Sequence, residues 1–192
     1  MGPRLERNRA LRVDVPRQSA KEAKLEGIDI DEFWSRLKSV NAGLLCSTDD
    51  AARLVPMSHQ LRDGDGTLWF ITGRGTDLAK AAAGGTEARY VLAESGKGLY
   101  AVVTGSLTRS DDRAVLNDLW SPVVGAWFEG GKDDPEVCLL ALRAVTAEVW
   151  LTPTSGLTFA FGILRAQVTG SQPDMGSYGT VSGRDLVNAR VA

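Results

Sequence analysis

Apolar and polar positions between residues 53 and 78 follow the pattern of a strand, a tight turn, a second strand and a helix start. Residues 54–61 read as extended: Leu54, Val55, Met57 and Leu61 are spaced around polar residues, and Pro56 opposes a helix interior. Asp63-Gly64-Asp65-Gly66 is the strongest hairpin signal in the chain, because glycine accepts a positive φ without a Cβ clash. Residues 68–72 (LWFIT) form a second strand, rich in aromatic and β-branched side chains. Gly73-Arg74-Gly75-Thr76-Asp77 then turns the chain, and Thr76 or Asp77 can cap a helix starting near Leu78. This corner brings backbone N–H groups, an arginine and a helix N-terminus to one point, a combination that suits a phosphate.

The same reading extends along the chain. Residues 32–40 are helical, capped by Asp29 or Asp31, with Phe33, Trp34 and Leu37 on one face. Residues 43–47 are a buried strand. Gly84-Gly85 ends the helix that follows Leu78. Strands over 87–93 and 99–107 flank a glycine-containing turn. Ser110-Asp111 caps a helix that runs to about Trp120, where Pro122 interrupts it, and 123–128 form a second short helix. Residues 137–151 are long enough for one bent strand or two. Over 154–169 the period fits a strand or a helix equally. Six or so strands in neighbouring hairpins, with helices at the corners, predict an antiparallel barrel or sandwich.

Composition narrows the function classes. At 192 residues and 43% hydrophobic content the chain fits one domain with tails. Residues 1–18 are charged and interrupted by Pro3 and Pro16, and read as a flexible arm; residues 19–170 are the folded domain; residues 171–192 are Gly/Ser/Asp-rich and read as a flexible tail. A net charge of −2 offers no nucleic-acid surface, and no apolar run reaches membrane-spanning length. The N-terminal stretch lacks an apolar signal-peptide core, so cytoplasmic residence is the expectation. Cys46 and Cys138 each sit in an apolar run and read as buried thiols.

Several constellations have competing readings. Gly73-Arg74-Gly75 follows a strand and opens a helix, with Glu94 near the distance of a ribose-binding acid in a dinucleotide fold. Against that fold, Leu78 occupies the third glycine position, the helix is too short for a parallel crossover, and the next strands look like hairpins. His59 is the only histidine, which leaves a metal site or a hydrolase triad without support; it reads as a surface or interface residue. The pairs Asp111-Asp112 and Asp133-Asp134 stand at helix-start or turn signals and read as caps.

VPMSHQ, the DGDG turn, LWFIT and the downstream run LNDLWSPVVGAWFEGGKDDPEVCLLALRAVTAEVWL resemble the flavin-binding split barrels related to pyridoxamine 5'-phosphate oxidase. The match is closest to the general-stress-protein branch and covers about residues 33–170, the downstream run being its more specific part. The resemblance implies a mainly β (α+β) fold: a six-stranded antiparallel split β-barrel with short flanking helices, and a helix over 154–169. It implies a homodimer with FMN in a groove between subunits. Val55, Pro56, Met57 and Ser58 would then line one side of the flavin ring, with Ile71 beside them and Trp120 and Trp127 closing the site. The alternative for both tryptophans is core or dimer packing. Family members place an arginine just before the Pro-Met pair and a lysine near the helix start. Here those positions look like Val55 and Leu78. Arg53, Arg74 and Lys80 are the available substitutes, Arg74 the best placed, with Thr72 and Thr76 as hydroxyl donors. The function implied is an FMN-binding flavoprotein that extends to oxidation or reduction of a small substrate. The alternative is a stress-related binding module of the same fold with weak or lost FMN binding.

Overall fold

The computed structural model describes residues 27–48, 53–62, 65–154 and 176–188. Helix α1 (Ile30–Lys38) is capped by Asp29, whose side chain accepts from the Glu32 amide, and it buries Phe33, Trp34 and Leu37. The strands are β1 (Gly43–Ser47), β2 (Val55–Met57), β3 (Gln60–Leu61), β4 (Thr67–Gly73), β5 (Thr86–Glu94), β6 (Leu99–Ser110), β7 (Val137–Leu151) and β8 (Ser177–Ser182). Short helices α2 (Asp77–Ala82), α3 (Arg113–Leu119), α4 (Pro122–Gly125) and α5 (Gly183–Asn188) lie between or after them.

Seven strands run side by side in the order β2-β1-β5-β6-β7-β4-β3, all neighbours antiparallel, and β8 adds to the second half of β7. The two ends of this row, β2 and β3, are consecutive in the chain and separated only by Ser58 and His59. Three Cα–Cα steps span at most about 10 Å. The sheet must therefore curl until its edges nearly meet, leaving a split barrel.

Burial follows strand chemistry. β5 alternates strictly over most of its length, with Thr86, Ala88, Tyr90 and Leu92 inward. Residues 137–142 of β7 are buried on both faces, because Val115, Leu116 and Leu119 of α3 cover the outside together with Trp69. The long β6–β7 pair bends at a bulge: Thr104 faces Thr146 and Gly105 faces Ala144, leaving Val145 as the extra residue and 63% exposed. Gly105 permits this approach, since a Cβ there would lie 2.1 Å from the Arg143 carbonyl oxygen. Helix α1 is tied to the barrel by Arg36, which donates to the carbonyl oxygens of Lys97, Gly98 and Thr152.

Three expectations change. The strand count rises above six, because residues 54–61 divide into β2 and β3 and the stretch read as a flexible tail contains β8. Val181 of β8 and Leu186 of α5 are buried in the main core. Two apolar side chains placed at strand and helix positions are enough to dock a segment whose composition is otherwise polar. The α3 cap is Asp112, which accepts from the amides of Ala114 and Val115, one residue later than the sequence signal. Cys46 and Cys138 are free and buried, as expected. The arm over 1–18 lies outside the described residues, as does the helix expected over 154–169 apart from Thr154. Among the described residues no helix is long and apolar enough to cross a membrane.

Candidate functional site

A cleft of about 480 Å³ opens at one end of the split. Its walls come from four places: Ser47 at the end of β1; Arg53, Val55 and Met57 on and before β2; Thr72 at the end of β4; and Gly75, Thr76, Asp77, Leu78 and Ala81 at the corner and on α2. Strand alternation sorts the candidates. Leu68 and Phe70 point into the main core, and Thr72 continues that face into the cleft. Ile71 therefore points the other way, where it packs with Trp120 and Phe128 on the outer cluster. On β2, Val55 and Met57 line the cleft while Pro56 is exposed.

Six of the residues read from the sequence thus meet in one place: Arg53, Val55, Met57, Thr72, Thr76 and Leu78. Pro56, Ser58, Ile71, Arg74, Lys80, Trp120 and Trp127 do not line it. Arg74 turns toward the start of β7 instead. Its Nε donates to the Pro135 carbonyl oxygen at 3.0 Å, its Nη2 to that of Val137 at 3.4 Å, and its amide to that of Glu136 at 2.7 Å. Lys80 is exposed and sits 3.9 Å from Asp77. Trp127 is 82% exposed, and Trp120 packs on Phe128 with ring centroids 6.0 Å apart.

Ser47, Gly75, Asp77 and Ala81 are cleft residues that the sequence reading did not assign. Ala81 lies one turn after Leu78, so helical spacing carries a signal for it. Ser47 comes from β1, and only the closing of the barrel brings it near.

The electrostatics of the corner differ from the phosphate cradle that its composition predicts. Thr76 already caps α2: its hydroxyl accepts from the Ala79 amide at 3.3 Å and donates to the Gly73 carbonyl oxygen at 2.9 Å. Asp77 adds a carboxylate in the first turn. Arg53 lies 3.8 Å from that carboxylate, with both side chains largely exposed, so the pair is screened and weak. Arg53 is the arginine that lines the cleft.

His59 is not on the surface. It is 7% exposed and fills the link between β2 and β3, with Ser58 taking the outer position. Its Nδ1 is 2.8 Å from the Tyr90 hydroxyl and its Nε2 3.1 Å from the Leu37 carbonyl oxygen. Burial lowers its pKa, and the Leu37 contact opposes that in part. Cys138 has its pKa raised by burial, with the Arg109 guanidinium acting against the shift. Among the described residues no group of His, Cys, Asp and Glu could hold a metal ion.

Comparison with known proteins adds to this geometry. The sequence profile described as pyridoxamine 5'-phosphate oxidase like matches residues 29–174. Among solved structures, the chain is similar to a protein of Jannaschia sp. CCS1 assigned as a general stress protein 26. The two share 45% identity with a TM-score of 0.74, over 79% of this chain and 96% of that one. It is also similar to the general stress FMN/FAD binding protein of the phytopathogen Xanthomonas citri, at 34% identity and a TM-score of 0.60, over 65% and 89% of the two chains. The general stress protein 26 of Bacillus anthracis str. Sterne, 17% identical with a TM-score of 0.53 over 62% and 92% of the two chains, shares the fold. No curated protein matches the sequence.

Proposed function

Since the chain belongs to the pyridoxamine 5'-phosphate oxidase-like family, we propose that its cleft binds FMN and that the protein is a flavoprotein acting on a small substrate. The observation that carries this reading is the make-up of the cleft. Val55, Met57, Leu78 and Ala81 form an apolar wall suited to a flat ring, while Arg53, Ser47 and Thr72 supply polar groups beside it. Its size lies in the range of small-ligand sites. The Xanthomonas citri relative is an FMN/FAD binding protein, which agrees with the same class of ligand. A bound flavin would supply the redox chemistry. The chain's part is to hold the ring against β2 and α2, to pair the phosphate and to limit access of water.

One observation favours weak FMN binding. Val55 and Leu78 are apolar where the resemblance expects basic residues, and Asp77 competes for Arg53 at 3.8 Å. Arg53→Ala is therefore expected to weaken FMN about tenfold, the size of one charge-assisted hydrogen bond, and to leave riboflavin nearly unchanged. Arg74→Ala is expected to affect the two flavins equally, because Arg74 tethers the corner to β7. Titration by flavin fluorescence reads both variants. An FMN-selective loss in Arg74→Ala, with none in Arg53→Ala, would reverse the assignment. The reading as a whole depends on flavin absorbance that survives gel filtration, or is restored by added FMN.

The same reading makes the protein a homodimer. Val123 is 75% exposed and Trp127 82%, on and just after α4. Apolar side chains of this size are better covered by a second copy than left in water. Sedimentation at micromolar concentration is expected to give twice the monomer mass of 20.6 kDa, and Trp127→Lys to shift it toward monomer. A monomer under all conditions counts against the dimer.

A further inference from the structure

Among the described residues that line the cleft, two are charged, Arg53 and Asp77. They oppose each other: Asp77 Oδ2 lies 3.8 Å from Arg53 Nη1. On its other side, Asp77 Oδ1 lies 3.9 Å from Lys80 Nζ, one turn along α2. One carboxylate thus stands between two cations at the cleft edge. Both distances exceed hydrogen-bond length. The Asp77 side chain is 83% exposed, so its carboxylate is open to a ligand that enters the cleft.

The fold does not depend on this carboxylate. Thr76 caps α2 through its hydroxyl, and buried Leu78, Ala79 and Ala82 dock the helix. Asp77 is the first residue of α2, and its ion partners Arg53 and Lys80 are both exposed. Its position matters for a ligand instead. An anion that pairs with Arg53 from within the cleft lies no further from Asp77 than about 8 Å, the screening length at physiological salt. For a phosphate, the attraction to Arg53 and the repulsion from Asp77 are similar in size and opposite in sign. A flavin without a phosphate carries no net charge for either residue to act on.

We infer that Asp77 is a specificity-determining residue of the cleft: its carboxylate offsets Arg53, so that the cleft takes a flavin without a phosphate, such as riboflavin, as readily as FMN. This role rests on the flavin reading of the cleft. The ring supplies the binding energy, against the apolar wall of Val55, Met57 and Leu78. The phosphate stays at the rim between charges of opposite sign. Each charge then acts in a definite sense. Arg53 favours FMN over riboflavin, and Asp77 favours riboflavin over FMN.

The test titrates FMN and riboflavin, by flavin fluorescence, into the full chain and into Asp77→Asn and Asp77→Lys, with melting curves to confirm that each variant folds. The parent is expected to bind the two flavins within about twofold of each other. Asp77→Asn is expected to tighten FMN about threefold and Asp77→Lys about tenfold, with riboflavin staying within about twofold of the parent. Raising the salt from about 0.05 M to about 0.5 M should cancel most of the gain in Asp77→Lys. A parent that prefers FMN by more than about tenfold overturns the inference. So does FMN affinity that stays at the parent value in both folded variants; either result leaves the flavin reading standing. An equal gain for both flavins overturns it too, because Asp77 would then shape the cleft rather than act on the phosphate. Failure of both flavins to bind the parent and both variants sinks the flavin reading, and this role with it.

Discussion

Removal of residues 177–192 is expected to lower the melting temperature by about 10–20 °C. The deleted segment contains β8, which pairs with β7 over six residues from Thr146 to Leu151. It also carries Val181 and Leu186, 5% and 1% exposed in the main core. Burying two such side chains contributes about 3–6 kcal/mol, a large share of the 5–15 kcal/mol typical of a domain. Deletion also uncovers the β7 edge along Ala147, Val149 and Leu151, so aggregation should accompany the loss. The segment docks closely at both ends: a Cβ at Gly176 would lie 1.9 Å from the Leu151 carbonyl oxygen, and one at Gly183 2.3 Å from that of Ala144. Gly183→Val should therefore reproduce part of the effect with the chain at full length. Calorimetry on both variants decides. A truncated protein that melts with the parent would show that β8 contributes nothing to stability.

Ala81→Trp is expected to reduce flavin binding by about a hundredfold or more, with the fold retained. Ala81 is the half-buried alanine of α2 and lines the cleft. Its neighbours Ala79 and Ala82 point into the core at 0% and 1% exposure, where an indole would overpack. The larger side chain grows into open cleft space, so it fills the volume proposed for the ring without disturbing packed side chains. Ala82→Trp serves as the contrast and should unfold the protein. Titration with FMN and riboflavin, next to a melting curve, separates the two. Unchanged affinity in a folded Ala81→Trp would place the flavin elsewhere.

Much of the cleft was legible because its residues are close in sequence. Arg53 through Leu78 is one strand–turn–strand–helix unit, and five of its predicted members besides Arg53 face a common space. Direction explains why the other candidates do not line it. Arg74 sits between two glycines at the corner, but that position also faces the start of β7, and its guanidinium donates to the carbonyl oxygens of Pro135 and Val137. Ile71 and Thr72 are adjacent and opposite, so only one of them can line the cleft. His59 reads locally as a surface or interface residue, because nothing in the neighbouring sequence shows that β2 and β3 lie at opposite edges of one curled sheet.

The chain by itself pointed to most of its strands, to its cap candidates and to an antiparallel barrel or sandwich, since these follow from side-chain period, glycine turns and capping residues acting over a few positions. Asp29 and Thr76, each one of two cap candidates in the sequence, and the stretch over 137–151, which folds as the single strand β7, are of this kind. The tertiary structure alone decided which arginine faces the cleft, that Ser47 joins it, that His59 is buried against Tyr90, and that residues 177–188 pack as a strand and helix. Each of these depends on contacts between segments tens of residues apart, made when the sheet curls and brings β2 beside β3. Local periodicity carries no information about that closure.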